Sequence, residues 1–167
     1  MSEVCILLAE DDENDVLFMR HAMAKASLTH PLHVVADGQE AIEYLAGEGK
    51  YADRGIFPLP RLIILDLKMP RKTGMDVLRW LQQNPVLECL PKVVLSSSAN
   101  RRDVERGYRL GANAFLVKPS TVEERSELVK LIHHFWLRLN QPPMVLTDGP
   151  EAVRAFISDT ANGVVAL

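Results

Sequence analysis

Five short apolar runs recur along the chain, at residues 4–9, 31–36, 61–65, 90–95 and 113–117. The third is the most telling. Leu62-Ile63-Ile64-Leu65 shows no alternation, which suits a strand buried on both faces in the middle of a parallel sheet. It runs into Asp66, and Met69-Pro70 and Gly74 follow within eight positions. Proline brings no ladder donor and ends the strand, while Gly74 permits the turn into the next helix. Between the runs, apolar residues return at helical spacing. Val16, Leu17, Met19, Ala22, Met23 and Ala26 mark one helix, and Ala41, Ile42, Leu45 and Ala46 a second. Val77, Leu78, Trp80 and Leu81 mark a third, stopped near Asn84-Pro85. Residues 101–110 carry a thinner stripe of Val104 and Tyr108, closed by Gly111. A capping box of Thr121 and Glu124 opens the last, in which Leu128, Leu131, Ile132, Phe135, Trp136 and Leu139 form the buried face. Five strands alternating with five helices predict an α/β, doubly wound fold with a five-stranded parallel sheet covered on both faces.

Parallel strands present all their C-terminal ends along one edge, where open α/β sheets bind ligands. The first strand delivers Glu10, Asp11 and Asp12 there, the third Asp66, the fourth Ser96 and the fifth Lys118. Each has an ordinary explanation when taken alone. The run from Glu10 to Asp15 suits a helix dipole, Asp66 a strand end or cap, Ser96 loop chemistry, and Lys118 a solvated surface. Their convergence on one edge is what calls for another account. Carboxylates forced together repel, and a hard cation such as Mg²⁺ takes one or two of them while keeping waters and holding a phosphate. A carboxylate in such a site can attack phosphorus, with a lysine and a hydroxyl stabilising the phosphoryl oxygens. Phosphorylation of an aspartate is the chemistry this set predicts.

Over about residues 3 to 139, the chain resembles the receiver domains of bacterial response regulators. Glu10-Asp11 looks like the family's acidic pair, and Asp66 like its phosphoacceptor. Met69, Pro70 and Gly74 match the turn after that aspartate, Ser96 the switch hydroxyl, Phe115 the coupled aromatic, and Lys118-Pro119 the lysine with its proline. The resemblance implies a flavodoxin-like strand order of 2-1-3-4-5 and Mg²⁺ bound by Asp11, Asp66 and the backbone carbonyl of Lys68, with Glu10 acting through water. It also implies a cis bond at Pro119, Asp12 as a helix start, and a sensor histidine kinase as partner. Homodimerisation through the fourth helix, fifth strand and fifth helix is expected on the same ground. The only chemistry implied is the protein's own phosphotransfer and autodephosphorylation. The long stretch before the third strand, with Gly49-Lys50-Tyr51-Ala52-Asp53, and Phe135-Trp136-Leu137 resemble the stand-alone regulators paired with phytochrome-type kinases.

Two other readings follow from the residues. A phosphorylation-independent interaction module would need none of the phosphoryl-site groups. An aspartyl-nucleophile phosphatase would want an acid-base two residues after Asp66, where this chain has Lys68, which cannot serve at neutral pH. A dinucleotide site is excluded because no Gly-rich turn follows the first strand. The 47% hydrophobic and 25% charged content is that of a soluble globular protein, and a net charge of -3 gives no footprint for nucleic acid. No stretch approaches a membrane span, so a cytoplasmic protein is expected. Cys5 and Cys89 lack metal spacing and are expected to pack as small hydrophobes. The expected division is a receiver domain over residues 1–139 and an extension over 140–167 with one short helix and no effector domain. Residues 47–60 form a long irregular loop, which in a compact domain predicts an interaction or regulatory feature.

Overall fold

In a parallel sheet covered by helices, consecutive residues of one strand enter two different cores, so both must be apolar. The computed structural model, which describes residues 4–161, shows this in β1 (Ile6–Ala9) and β3 (Leu62–Leu65), whose residues are all buried. Leu7, Ala9, Ile63 and Leu65 enter the layer that includes Ile42, Leu45, Leu78 and Leu81. Ile6, Leu8, Leu62 and Ile64 enter the opposite layer, with Met19, Met23, Val129 and Ile132. The remaining strands are β2 (Leu32–Val35), β4 (Lys92–Ser96) and β5 (Ala114–Val117). All pair in parallel, in the order β2-β1-β3-β4-β5. The predicted fold class and strand order are therefore the observed ones.

The helices are α1 (Glu13–Lys25), α2 (Gly38–Ala46), α3 (Gly74–Gln82), α4 (Arg101–Arg109) and α5 (Val122–His133). Each begins on a polar cap: Asp12, Asp37, Thr73, Asn100 and Thr121 each accept a hydrogen bond from a first-turn amide. Thr73 and Asp76 complete a reciprocal capping box at the helix that follows the central acid. Beyond α5 the chain continues as a wider π-type turn, His134–Leu139. The extension forms two helices rather than one, α6 (Met144–Thr147) and α7 (Pro150–Ala161). Val145 and Val153 bury in the layer that contains Leu7 and Ile63, so the described part of the extension packs back on the domain. Among the described residues, no helix is long and apolar enough to cross a membrane.

Residues 47–60 are irregular in path yet tightly held. Tyr51 is buried, and its ring packs with those of Tyr44 and Phe57. His33 of the edge strand β2 packs against Tyr44 and Phe57, so this loop covers one end of the sheet. Arg54 donates to the carbonyls of Tyr44 and Leu45 at the end of α2 and of Phe57 in the loop, tying the loop to the helix. Cys5 is buried as expected, but Cys89 is exposed, on the turn before β4.

Gly74 serves a different purpose from the turn-maker the sequence suggests. The left-handed residue of that turn is Arg71, at φ 57°. Gly74 is required because a Cβ there would lie 2.2 Å from the Asp66 carbonyl oxygen. Replacing Gly74 with alanine should cost about 1–3 kcal/mol through forced backbone movement, read as a lower midpoint of urea unfolding.

His133 is buried at the end of α5, and its Nε2 lies 2.9 Å from Nδ1 of His30, in the loop entering β2. One ring donates and the other accepts, so the contact needs both rings neutral or only one charged. Burial pushes both rings below the usual histidine range; Arg138 and Arg61 add to the effect at His30, and His30, Arg138 and His134 at His133. Below about pH 6.5 the unfolded chain therefore takes up protons that the folded pair resists. The stability supplied by this contact is complete above that pH and declines as the pH falls below it. Urea unfolding between about pH 7.5 and 5 should show this decline, and His133→Leu should flatten it.

Candidate functional site

The register of the sheet aligns the strand ends. Ala9 pairs with both Val35 and Leu65, and Leu65 with Val94. The Asp66 amide donates to the Ala9 carbonyl at 2.9 Å, which places Asp66 beside Glu10. On the other side, the Lys118 amide donates to the Ser96 carbonyl at 2.9 Å. Glu10, Asp11 and Asp66 each offer a carboxylate oxygen, and these oxygens lie within 4.8 Å of one another. Glu10 and Asp66 are buried, whereas Asp11 is exposed.

Lys118 provides the counter-charge. Its Nζ donates to Glu10 Oε2 at 2.6 Å and to Asp15 Oδ2 at 2.6 Å, and lies 3.7 Å from Asp66 Oδ2. Burial opposes the charge on Lys118, but the bonds from Asp15 and Glu10 outweigh it and raise the ammonium above its ordinary pKa. Glu10 is raised above the usual carboxylate range, chiefly by burial, with Lys118 opposing. Asp66 is also raised by burial, with Lys118 and the Leu67 amide opposing. The Leu67 amide donates to Asp66 Oδ1 at 2.8 Å.

The segment after Asp66 is braced from the side. Asp37, the cap of α2, accepts from Arg71 Nε at 2.7 Å, and the Gly38 amide donates to the Lys72 carbonyl at 2.9 Å. A Cβ on Gly38 would lie 2.3 Å from that carbonyl oxygen. This bracing fixes the path of Lys68 through Thr73; the Lys68 side chain itself is exposed.

Ser96 is buried at the end of β4, and its hydroxyl accepts from the Ser98 amide at 3.2 Å. Phe115 is half-buried on β5, in space that Gly107 of α4 leaves open: a Cβ on that glycine would lie 3.0 Å from the ring. The Phe115 amide donates to the Tyr108 hydroxyl at 3.3 Å. The structure therefore unites Glu10, Asp11, Asp66 and Lys118, while Ser96 and Phe115 occupy adjacent strand ends. One expectation is corrected. No cis peptide bond occurs among the described residues, so the Lys118–Pro119 bond is trans, not cis. Trans is the lower-energy isomer by about 0.5–1 kcal/mol, and with it Lys118 already reaches both carboxylates.

Two members of the site had not been singled out. Asp15 belongs to the acidic run but faces the lysine rather than solvent, and Arg125 of α5 donates to Asp15 Oδ1 at 2.8 Å. Helical side chains lean towards the N-terminus, so residues in the first turns of α1 and α5 reach back to the sheet edge. That geometry was the available signal.

The donor set suits a hard cation. All three ligand groups are carboxylate oxygens. Glu10, Asp11, Asp15 and Asp66 against Lys118 and Arg125 leave two negative charges in excess, the charge that one divalent ion offsets.

Comparison with known proteins agrees with this geometry. The family described as the response regulator receiver domain matches residues 6–133. Response regulator Rcp1 of Synechocystis sp. is 36% identical over 132 residues, covering 79% of this chain and 88% of that protein. The crystal structure of the phosphorylated cyanobacterial phytochrome response regulator RcpA superposes with a TM-score of 0.78 at 36% identity, covering 84% of this chain and 99% of that one. The Mn²⁺-bound form of Rcp1 superposes with a TM-score of 0.76 at 35% identity, over 84% and 99% of the two chains.

Because burial raises Asp66 above the usual carboxylate range, Asp66→Asn should stabilise the protein in the absence of divalent ions. Calorimetry in chelator should show a rise in Tm. An unchanged or lower Tm would mean that Lys118 already offsets the burial.

Proposed function

Since the chain belongs to the response regulator receiver family, we propose that it is a single-domain response regulator whose Asp66 accepts a phosphoryl group from a sensor histidine kinase. The observation that carries this reading is the group of Glu10, Asp11 and Asp66 oxygens within 4.8 Å, with the Lys118 ammonium 3.7 Å from Asp66. Asp66 is the nucleophile: one of its oxygens forms a bond to phosphorus while the donor's P–N bond breaks and its electron pair returns to the leaving imidazole. Lys118 directs its remaining N–H at the incoming phosphoryl oxygens, supplying charge that is already in place.

Glu10, Asp11, Asp66 and the Lys68 carbonyl would hold Mg²⁺, which when bound screens the carboxylates from the incoming phosphate. The Mn²⁺ in the Rcp1 relative supports a divalent ion at such a site. Ser96 is the switch hydroxyl, and Phe115 is the aromatic whose packing against α4 reports the change. The protein catalyses only this transfer and the hydrolysis of its own phosphoaspartate, in which water attacks phosphorus and the Asp66 carboxylate leaves.

The output surface is the α4-β5-α5 face, through which two copies pair. Tyr108, Val117 and Val122 are exposed there. Arg101, Arg102, Arg106 and Arg109 on α4 are complementary in charge to Glu123, Glu124 and Glu127 on α5. The partner kinase is of the phytochrome type, supported by the phytochrome response regulator to which the chain is similar. Signalling is by protein contact in the cytoplasm, with no nucleic acid or membrane partner.

Acetyl phosphate with Mg²⁺ should label the protein, and Asp66→Asn should reduce that labelling by at least about a hundredfold. Undiminished labelling of the variant would refute Asp66 as the nucleophile.

A further inference from the structure

A lysine ammonium has three N–H donors, and in Lys118 two are already committed. Glu10 Oε2 and Asp15 Oδ2 each accept at 2.6 Å, while Asp66 Oδ2 stands at 3.7 Å, outside hydrogen-bonding range. Glu10 lies on the same sheet edge as Asp66, so it alone would not hold the ammonium away from the nucleophile. Asp15 pulls from the first turn of α1.

Asp15 is itself fixed. Its Oδ1 accepts from Arg125 Nη1 at 2.8 Å while its Oδ2 holds the lysine, so rotation of the carboxylate would lose one cation or the other. Arg125 also donates from Nε to the Pro119 carbonyl at 2.6 Å, bracing the residue next to Lys118. The guanidinium lies over the Phe18 ring, 5.5 Å from its centroid, which sets its plane. Both oxygens of one carboxylate and two donors of one guanidinium are thus spent on locating a single ammonium.

We propose that Asp15, held by Arg125, is a positioning residue for phosphoryl transfer: it shares the Lys118 ammonium with Glu10 and keeps it from closing onto the Asp66 carboxylate. The proposal rests on Asp66 being the phosphoacceptor. In the transfer an Asp66 oxygen bonds to phosphorus as the donor's bond to phosphorus breaks, the electron pair leaving with the donor. A nucleophile already hydrogen-bonded to a cation has that lone pair engaged. With the clamp in place, the Asp66 lone pair stays free and the third N–H of Lys118 is kept for the phosphoryl oxygens. Without Asp15, the freed N–H of Lys118 turns to Asp66 Oδ2, which stands only 3.7 Å away.

The test uses the full chain, with acetyl phosphate as donor and Mg²⁺ in excess. Asp15→Ala should slow labelling at saturating donor about tenfold, the scale of one charge-assisted hydrogen bond, and Asp15→Glu should recover part of the loss. Donor half-saturation should stay within about twofold, because rate rather than binding is affected. Arg125→Met should slow labelling less than Asp15→Ala, and the double variant should fall well short of the product of the two effects, since both share the Asp15 carboxylate. A second readout needs no donor: the ¹⁵N resonance of the Lys118 ammonium, assigned by its loss in Lys118→Met, should be protected from solvent exchange in the parent and lose that protection in Asp15→Ala. A rate for Asp15→Ala equal to the parent's, effects of Asp15 and Arg125 that multiply, or an unchanged ammonium signal would each overturn the proposal. A parent protein that is never labelled would instead overturn the function assigned to Asp66, while the ammonium signal would still decide whether the clamp exists.

Discussion

A buried charge must be paired, and in this protein one ammonium meets that requirement for a whole edge of the sheet. Lys118 is almost inaccessible to water, and its partners come from β1, α1 and β3. Glu10 and Asp66 could not remain ionised side by side in a dry crevice without it. The arrangement of everything else at the edge follows from where this cation sits. Strand ends must be level for Glu10 and Asp66 to meet it, and α1 must begin where Asp15 can reach back to it.

That levelness is a property of the sheet rather than of any site residue. Each of the central strands β1 and β3 sends alternate side chains into two separate apolar layers. A slip of one residue would exchange those sets and move every strand end together. Because all positions on these strands are apolar, the sheet tolerates either facing, and the register is held at the ends by contacts such as the Asp66 amide to the Ala9 carbonyl. Steric limits add to this. No side chain fits at Gly74 against the Asp66 backbone, or at Gly38 against Lys72. The turn that carries Lys68 is thereby packed between the acidic site and α2. A site that handles a multiply charged ligand gains from such stiffness, since small displacements weaken electrostatic stabilisation steeply.

The opposite end of the sheet is built differently. There the rings of His33, Tyr44, Tyr51 and Phe57 pack together, the His30–His133 pair joins α5 to β2, and Arg61 at the start of β3 donates to the Asn140 carbonyl at 2.9 Å. These contacts tie the long loop and the extension to the domain, so the loop's length reflects packing as much as any role in recognition. The arginines of α4 and the glutamates of α5 are exposed on either side of the β5 edge.

The order of strands and helices, the cap at Thr121, and the central acid at Asp66 were all legible in the chain, because each depends on neighbours within a few residues. Apolar runs, turn residues and helix caps act locally, and parallel topology then brings the ends of those runs together whatever the side chains are. The convergence of Glu10, Asp66 and Lys118 could be argued for that reason. Other features depended on contacts that no local pattern encodes. Asp15 reads as a dipole-favouring acid until Lys118, 103 residues away, is placed beside it. Arg125 reads as a solvated arginine, His30 as one of several scattered histidines, and Gly74 as a turn residue rather than a gap left for the Asp66 carbonyl. Sequence determined which groups reach the edge; the tertiary structure decided which of them touch, because a contact between charges depends on ångström distances set by register and packing, not on residue type.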